Sequence, residues 1–297
     1  MASAPRDCWA EWLAERRFGG DQDIRRSFLS NLTAAREKVL DRSQLAEGES
    51  LLDVGCGEGL IAFGALARGA STVTFSDISS DLLDFCRQAA SDLDVLDRCR
   101  FVAASADDLS PISGASVDVV TTRSVLIYVK DKAAAFGEFA RVLRPGGRIS
   151  LFEPINRFAL NSRNADSFAG YELGGLSDIG RKLRGVFEAI QARDTDPMLD
   201  FDERDLVRLA EDAGFFPISL MLDAVIEPLP PSAWEGFANS SGNPNIPTVA
   251  EAMEQALTAA EREQLTVHLR PLVEQGLGEW RMASAYLTAT RSSAVMR

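Results

Sequence analysis

The sequence predicts an α/β protein built on a mostly parallel sheet flanked by helices, and three observations point that way. Short strand-like apolar runs alternate with helix-like runs between residues 45 and 154. The run LLDV ends at a turn with glycines at alternate positions, Gly55, Gly57 and Gly59, and passes directly into LIAFGALARG. Residues that start and stop helices stand where this alternation needs them: Gly69 after the first helix, Ser79 as an N-cap, Pro145 as a stop.

Taken in order, residues 7–18 and 22–40 predict two helices separated by Gly19 and Gly20, the second with Ile24, Phe28, Leu32 and Val39 at roughly helical spacing. The strand LLDV follows, then the glycine turn, where a residue without Cβ lets backbone approach a ligand closely. STVTFSD (71–77) alternates Val73 and Phe75 with polar neighbours and reads as a strand ending in Asp77. A helix from Asp131 to Arg144 stops at Pro145, and Gly146 and Gly147 turn the chain into the strand RISLFE. Asp202 caps a helix with Leu206, Leu209, Ala210 and Ala213 on one face, ended by Gly214; FFPISLMLDAVI and RMASAYLTAT are strand-like.

Two long connections interrupt this scheme. Residues 155–201 contain Arg157, Arg163, Tyr171 and a Gly-rich stretch; residues 227–280 contain EPLPPSAWEGF and two helices between Thr248 and Gln275. Long connections in a compact domain are commonly lids or binding loops, and a dimer interface or stabilising cap is the alternative. The expected organisation is a helical cap (1–44), a cofactor-binding core (45–154), a lid insertion (155–201) and the C-terminal part of the sheet (202–297) carrying the helical insertion 227–280. With 297 residues, 46% hydrophobic, one large α/β domain is expected rather than two.

The glycine turn selects a ligand. Asp77 lies about 20 residues beyond the central glycine, where such folds place the carboxylate that binds a ribose diol. A pyrophosphate turn reads GxGxxG and leaves the helix N-terminus open to phosphate, whereas this chain has GxGxG with Glu58 at that point. Two anions there would repel. Asp53, ending the first strand, adds negative charge suited to an ammonium group. A ligand with a ribose, an adenine and a cationic amino-acid tail fits better than a dinucleotide.

LLDVGCGEG, the acidic end of FSDIS, the stretch FVAASADDLSPISGASVDVVTTRSVLIYV and the turn RVLRPGGRISLFEP together resemble the class I S-adenosylmethionine-dependent methyltransferases over residues 45–154. The resemblance implies a Rossmann-like seven-stranded sheet of order 3-2-1-4-5-7-6 with the last strand antiparallel. It implies that the backbone of Gly55 and Gly57 lies against the methionine part of the cofactor, within a turn completed by Cys56 as a small filler and Gly59. Asp53 would reach the amino group through water, Asp77 would accept both ribose hydroxyls, and Ile78 would pack on the adenine. At the adenine edge the family commonly has an acidic or amide residue before a small one; this chain departs with Ser105, Ala106 and Asp107, so either Asp107 or the Ala106 backbone takes that part. Arg123, ending the fourth strand, stands where relatives contact the cofactor backbone or face the methyl group; a surface arginine beside the turn is the alternative. In the family such an N-terminal helix pair often closes over the cofactor, which would put Arg17, Phe18 or Arg25 near it; the preferred reading of these residues is solvated helix charge.

Candidate groups for chemistry lie at the carboxyl ends of strands. Glu153 could orient an amine or accept a proton, or anchor the following turn; Tyr128 could hydrogen-bond substrate or pack in the core; Arg157 could grip a substrate carboxylate or serve as a surface residue. The single histidine, His268, sits in the polar helix EREQLTVHLRP and reads as a surface residue. A formal net charge of −13 repels a phosphate backbone, so nucleic acid is not expected as substrate. Nor does an NPPY-like motif follow the fourth strand; SGNPNIP, around Asn243 and Pro244, reads as a loop.

The four cysteines show no CxxC pair, so neither a metal nor a disulfide framework is signalled. WAEWLAERRF interrupts its apolar residues with charge, and no run approaches a membrane span, so a cytoplasmic, unanchored protein is expected, with a homodimer as one assembly. These readings converge on methyl transfer from S-adenosyl-L-methionine, leaving S-adenosyl-L-homocysteine, to an N or O atom of a natural-product or amino-acid-like metabolite. C-methylation of a quinone-like acceptor, a catalytically silent cofactor-binding protein and a nicotinamide oxidoreductase are the alternatives.

Overall fold

The strands of the computed structural model, which describes residues 6–19, 22–161 and 166–292 (22–31 and 161 by backbone alone), are β1 (Ser50–Val54), β2 (Thr72–Asp77), β3 (Cys99–Ala103), β4 (Val117–Arg123), β5 (Leu143–Pro154), β6 (Ser167–Phe168), β7 (Tyr171–Glu172), β8 (Phe215–Pro228) and β9 (Glu279–Arg291). Seven of them form one sheet in the order β3-β2-β1-β4-β5-β9-β8. The pairs β3–β2, β2–β1, β1–β4 and β4–β5 are parallel, and β9 runs antiparallel to β5. Because β6 and β7 make a separate hairpin, the main sheet numbered by itself has the expected order 3-2-1-4-5-7-6. Each parallel step needs a crossover, which is why the glycine turn must lead straight into a helix.

The helices are α1 (Cys8–Glu11), α2 (Gln22–Ser43), α3 (Leu60–Ala67), α4 (Ser80–Asp92), α5 (Lys132–Val142), α6 (Asn156–Asn161), α7 (Ser177–Ile190), α8 (Glu203–Asp212), α9 (Trp234–Asn239), α10 (Val249–Ala256) and α11 (Ala259–Gln275). Starts follow capping chemistry. Ser79 accepts from the N–H of Leu82, Asp131 from Ala134, and Asp202, Thr248 and Thr258 each form reciprocal capping boxes. The expected helix through Arg144 ends at Val142, because Pro145 disfavours helical geometry just before it and Leu143 is already extended. The expected helix 7–18 is instead the single turn α1 followed by a π-helical turn, Trp12–Arg16, closed by Arg17 N–H on the Trp12 carbonyl.

The chain divides into two compact units rather than the one large domain expected from length and composition. The larger comprises Asn31–Ile155, Phe201–Asp223 and Ser284–Arg297. In it, Leu51, Val73, Phe75 and Val119 of the sheet pack with Val39 and Leu40 of α2, Ile61, Ala62 and Ala65 of α3 and Leu83 and Cys86 of α4. The other comprises Met1–Ser30, Asn156–Asp200 and Ala224–Ala283, and has its own apolar cluster, in which Leu173, Leu183, Trp234, Ala252, Leu265, Leu269 and Val273 are buried. A second core explains the second unit: the two long connections supply enough buried apolar surface to pack on each other. No described helix is long and apolar enough to cross a membrane.

Gly55 takes φ +63°, and a Cβ there would lie 2.4 Å from Val125 Cγ2. Gly137 sits exposed in α5, with nothing within 4 Å of a Cβ. Gly55→Ala should therefore lower stability by about 1–3 kcal/mol, while Gly137→Ala should raise it by about 0.5–1 kcal/mol, as read from urea unfolding. The reverse ranking would contradict the turn geometry.

Candidate functional site

The carboxyl edge of the sheet begins with the turn after β1. Its amide groups are stitched to the end of β2: Cys56 N–H donates to the Ser76 carbonyl at 2.9 Å, and Gly57 N–H donates to Asp77 Oδ2 at 2.8 Å. The other Asp77 oxygen accepts from Ser79 N–H at 2.9 Å. The Gly57 carbonyl accepts from the Cys86 thiol at 3.2 Å and, more weakly, from Cys56 at 3.8 Å. Contact with the Cys86 sulfur, together with burial, pushes the Cys56 thiol well up, so the Cys56 sulfur serves as packing in the thiol form. Gly57 has φ +53° and nothing within 4 Å of a would-be Cβ, so bare backbone faces open space. Beside the nearly buried Asp77 stands Ile78, an isoleucine 55% exposed.

Past β3, the Ser105 hydroxyl donates to the Asp107 carboxylate, and Asp108 N–H closes a turn on the Ser105 carbonyl at 3.1 Å, with Ala106 buried between them. Asp107, one of the two groups expected at the adenine edge, is thus tied to Ser105, and Ala106, whose backbone is the other, lies between them.

Asp53 and Glu153 are the deeply buried carboxyl groups of this edge, 2% and 0% exposed. Asp53 accepts from Thr121 Oγ1 at 2.9 Å and from the α3 amide of Ala62 at 3.2 Å. Glu153 accepts from Thr122 Oγ1 and Val125 N–H, both at 3.1 Å, and from Ile127 N–H at 3.4 Å, bracing the loop that follows β4. Desolvation pushes both up to about 7 despite these bonds. Tyr128 lies half-buried in the 3₁₀ turn Leu126–Tyr128 of that loop. Arg123, ending β4, retains some exposure as a residue while its guanidinium is deeply enclosed. Burial pulls its pKa down, opposed by the charges of Asp53 and Glu153 and by Tyr128 and Glu58.

The remaining sequence candidates fall in the other unit. Arg157 Nε donates to the Leu199 carbonyl at 2.6 Å, with Asp194 3.9 Å from the guanidinium. Arg17 stacks over Trp12, 4.9 Å from the ring centroid. His268 Nε2 lies 2.8 Å from the Glu172 carbonyl, its ring against Gly174. Arg163 and the side chain of Arg25 lie outside the described residues. Thr121, Thr122 and Cys86 were not singled out from the sequence; the signal that could have found the threonines is two adjacent hydroxyls in the otherwise apolar strand VDVVTTR.

A family profile described as a methyltransferase domain matches residues 52–151, from β1 into β5 and just short of Glu153. The ubiquinone/menaquinone biosynthesis C-methyltransferase of Hahella chejuensis is 30% identical over 183 residues, covering 59% of this chain and 70% of that protein. The chain belongs to the class I S-adenosylmethionine-dependent methyltransferases. Within that family, the ubiquinone biosynthesis O-methyltransferase of Paracidovorax citrulli is 34% identical over 142 residues, 48% of this chain and 56% of that one. The chain spans about half the length of the first curated relatives it matches. The solved structure of a geranyl diphosphate methyltransferase in complex with S-adenosylmethionine shares the fold, at 18% identity and TM-score 0.53 over 92% of each chain.

A carboxyl group held near 7 in the fold, against an ordinary 4.5 for Glu, binds a proton that the unfolded chain has lost. Its stabilising contribution is complete below about pH 4 and disappears as pH rises through about 7. Urea unfolding of the ligand-free protein at pH 5–6 should therefore show a slope against pH about 1.4 kcal/mol per unit more negative for wild type than for Glu153→Gln. Equal slopes would show that Glu153 is ionised in the fold.

Proposed function

We propose that the chain binds S-adenosylmethionine against the turn after β1 and the end of β2, and transfers its methyl group to an N or O atom of a small-molecule acceptor. The observation that carries this reading is the bond between Gly57 N–H and Asp77 Oδ2, which sets a buried carboxylate beside half-buried main chain and an exposed isoleucine. These residues fit the cofactor. Asp77 would take the ribose hydroxyls, Ile78 the adenine face, the Ser105–Asp107 pair with the Ala106 backbone the adenine edge, and the Gly55–Gly57 backbone the methionine part. Asp53 would supply the charge that favours the amino group, directly or through water.

When bound, S-adenosylmethionine supplies a methyl activated by sulfonium for in-line displacement. Orientation and exclusion of water are then the chain's main contribution, and effects of this kind reach about 7–11 kcal/mol. Glu153 supports them indirectly, because its three donors fix the loop that carries Tyr128. A small acceptor is supported by the net charge of −13. The Paracidovorax relative supports an oxygen acceptor; the Hahella relative, a C-methyltransferase by name, supports the second reading, transfer to carbon.

Calorimetric titration with S-adenosylhomocysteine tests the assignment. Asp77→Ala should weaken binding by about 1.5–3 kcal/mol per charge-assisted bond lost, and NADH should not bind wild type. Unchanged affinity in the variant, or binding of NADH in place of S-adenosylhomocysteine, would refute it. With wild type, incubation of S-adenosylmethionine with a fractionated metabolite extract should release S-adenosylhomocysteine, and release from no fraction would leave cofactor binding without transfer.

A further inference from the structure

Resting on that reading, we propose that Arg123 takes the carboxylate of the cofactor's methionine part and so makes the site selective for an intact amino-acid tail. Strand register puts it in place. In the parallel pair of β1 and β4, Asp53 stands opposite Thr121 and Val54 opposite Thr122. One step further along the same ladder brings Arg123 level with Gly55, about 5 Å away across the strands. Side chains alternate along a strand, so Arg123 leaves β4 on the face of Thr121, the residue whose hydroxyl donates to Asp53.

The guanidinium is a cation without a bonded partner. It is deeply enclosed, yet among the described residues it makes no hydrogen bond and no ion pair. Enclosure of that kind is costly for a charge, and an anion with two oxygens relieves the cost by a two-pronged bond. The groups that act on Arg123 through space are Asp53, Glu153, the Tyr128 phenol and Glu58. The two buried acids are committed elsewhere: Asp53 accepts from Thr121 Oγ1 with one oxygen and from the Ala62 amide with the other, and Glu153 accepts from Thr122, Val125 and Ile127. They keep Arg123 charged and leave its donors unused. Other enclosed cations of this unit are bonded, Arg148 to Glu49 and Lys132 to the Val129 carbonyl.

An amino-acid tail carries an ammonium and a carboxylate on one carbon, and this corner of the sheet offers one charge of each sign. Asp53 and Arg123 attract each other without coming within ion-pair distance, on either side of the step from β1 into the glycine turn. A zwitterion along the backbone from Gly55 to Gly57 answers both charges at once. Without its carboxylate, the same ligand would leave the guanidinium enclosed and uncompensated, and a site loses most affinity when a buried polar group is left unpaired. A methyl acceptor could bring the same carboxylate chemistry. The position of Arg123 level with Gly55 favours the cofactor as its source, and cofactor analogues separate the two.

Calorimetric titration with S-adenosylhomocysteine, with its decarboxylated analogue S-adenosyl-3-thiopropylamine and with 5′-methylthioadenosine, which lacks both charged groups, tests this. Wild type should bind S-adenosylhomocysteine at least about tenfold more tightly than the decarboxylated analogue. Arg123→Met should weaken S-adenosylhomocysteine by about tenfold or more and should not weaken either of the other two. Arg123→Lys should recover part of the loss. Retained binding of 5′-methylthioadenosine shows that a variant is folded; if Arg123→Met binds none of the three, Arg123→Lys decides, and its preference for S-adenosylhomocysteine over the decarboxylated analogue should fall below that of wild type. Equal affinity of wild type for those two ligands, an unchanged preference in the variant that decides, or equal losses for both ligands would overturn the proposal. Unchanged S-adenosylhomocysteine affinity in Arg123→Met would do so by freeing Arg123 for the acceptor. Wild type that binds none of the three would instead refute the underlying reading of function.

Discussion

The backbone of one residue, Gly57, ties the carboxyl edge of the sheet together. Its N–H is held by the Asp77 carboxylate and its carbonyl by the thiol of Cys86 on α4. The turn after β1 and the end of β2 are therefore set with respect to each other before any ligand arrives. Asp77 in turn is fixed by a second amide, that of Ser79, the N-cap of α4. A carboxylate oriented by two main-chain donors loses little freedom on binding a ligand, which favours affinity through preorganisation. The positive φ of Gly57 and the open space where a Cβ would stand keep the same stretch of backbone accessible.

Around this clamp, the charge pattern is tuned by burial. Asp53 and Glu153 sit buried near the ends of β1 and β5, and desolvation pushes both up to about 7. They differ in what could change that. Glu153 is committed to hydroxyl and amide donors of β4 and its loop, a structural brace. Asp53 bridges β4 and the start of α3, so a cation near it would favour its ionised form. Folding thus carries an electrostatic cost that a cationic ligand can relieve.

The parts of this arrangement legible in the sequence were local. The glycine spacing, Asp77 at the end of its strand, and the caps Ser79 and Asp202 each depend on a few consecutive residues, and the strand order came from resemblance. What stayed hidden depends on partners far along the chain. Asp53 meets Thr121, 68 residues away, and Glu153 meets Thr122, 31 residues away. Neither bond can be deduced until β1, β4 and β5 are known to be neighbours. The second unit is a similar case: the apolar spacing of Leu265 and Leu269 on α11 announces a buried face, but its companions Leu173, Leu183 and Trp234 come from separate stretches. The helix that stops at Val142 shows a local rule in competition with another, since Pro145 acts before its own position.

The most direct test is a crystal structure of the protein with S-adenosylhomocysteine. The account predicts ribose oxygens within hydrogen-bond distance of the Asp77 carboxylate, the adenine against Ile78, and the homocysteine chain along the backbone from Gly55 to Gly57, with the Gly57–Asp77 bond intact. A nucleoside bound elsewhere on the molecule, or a ribose that makes no contact with Asp77, would contradict it.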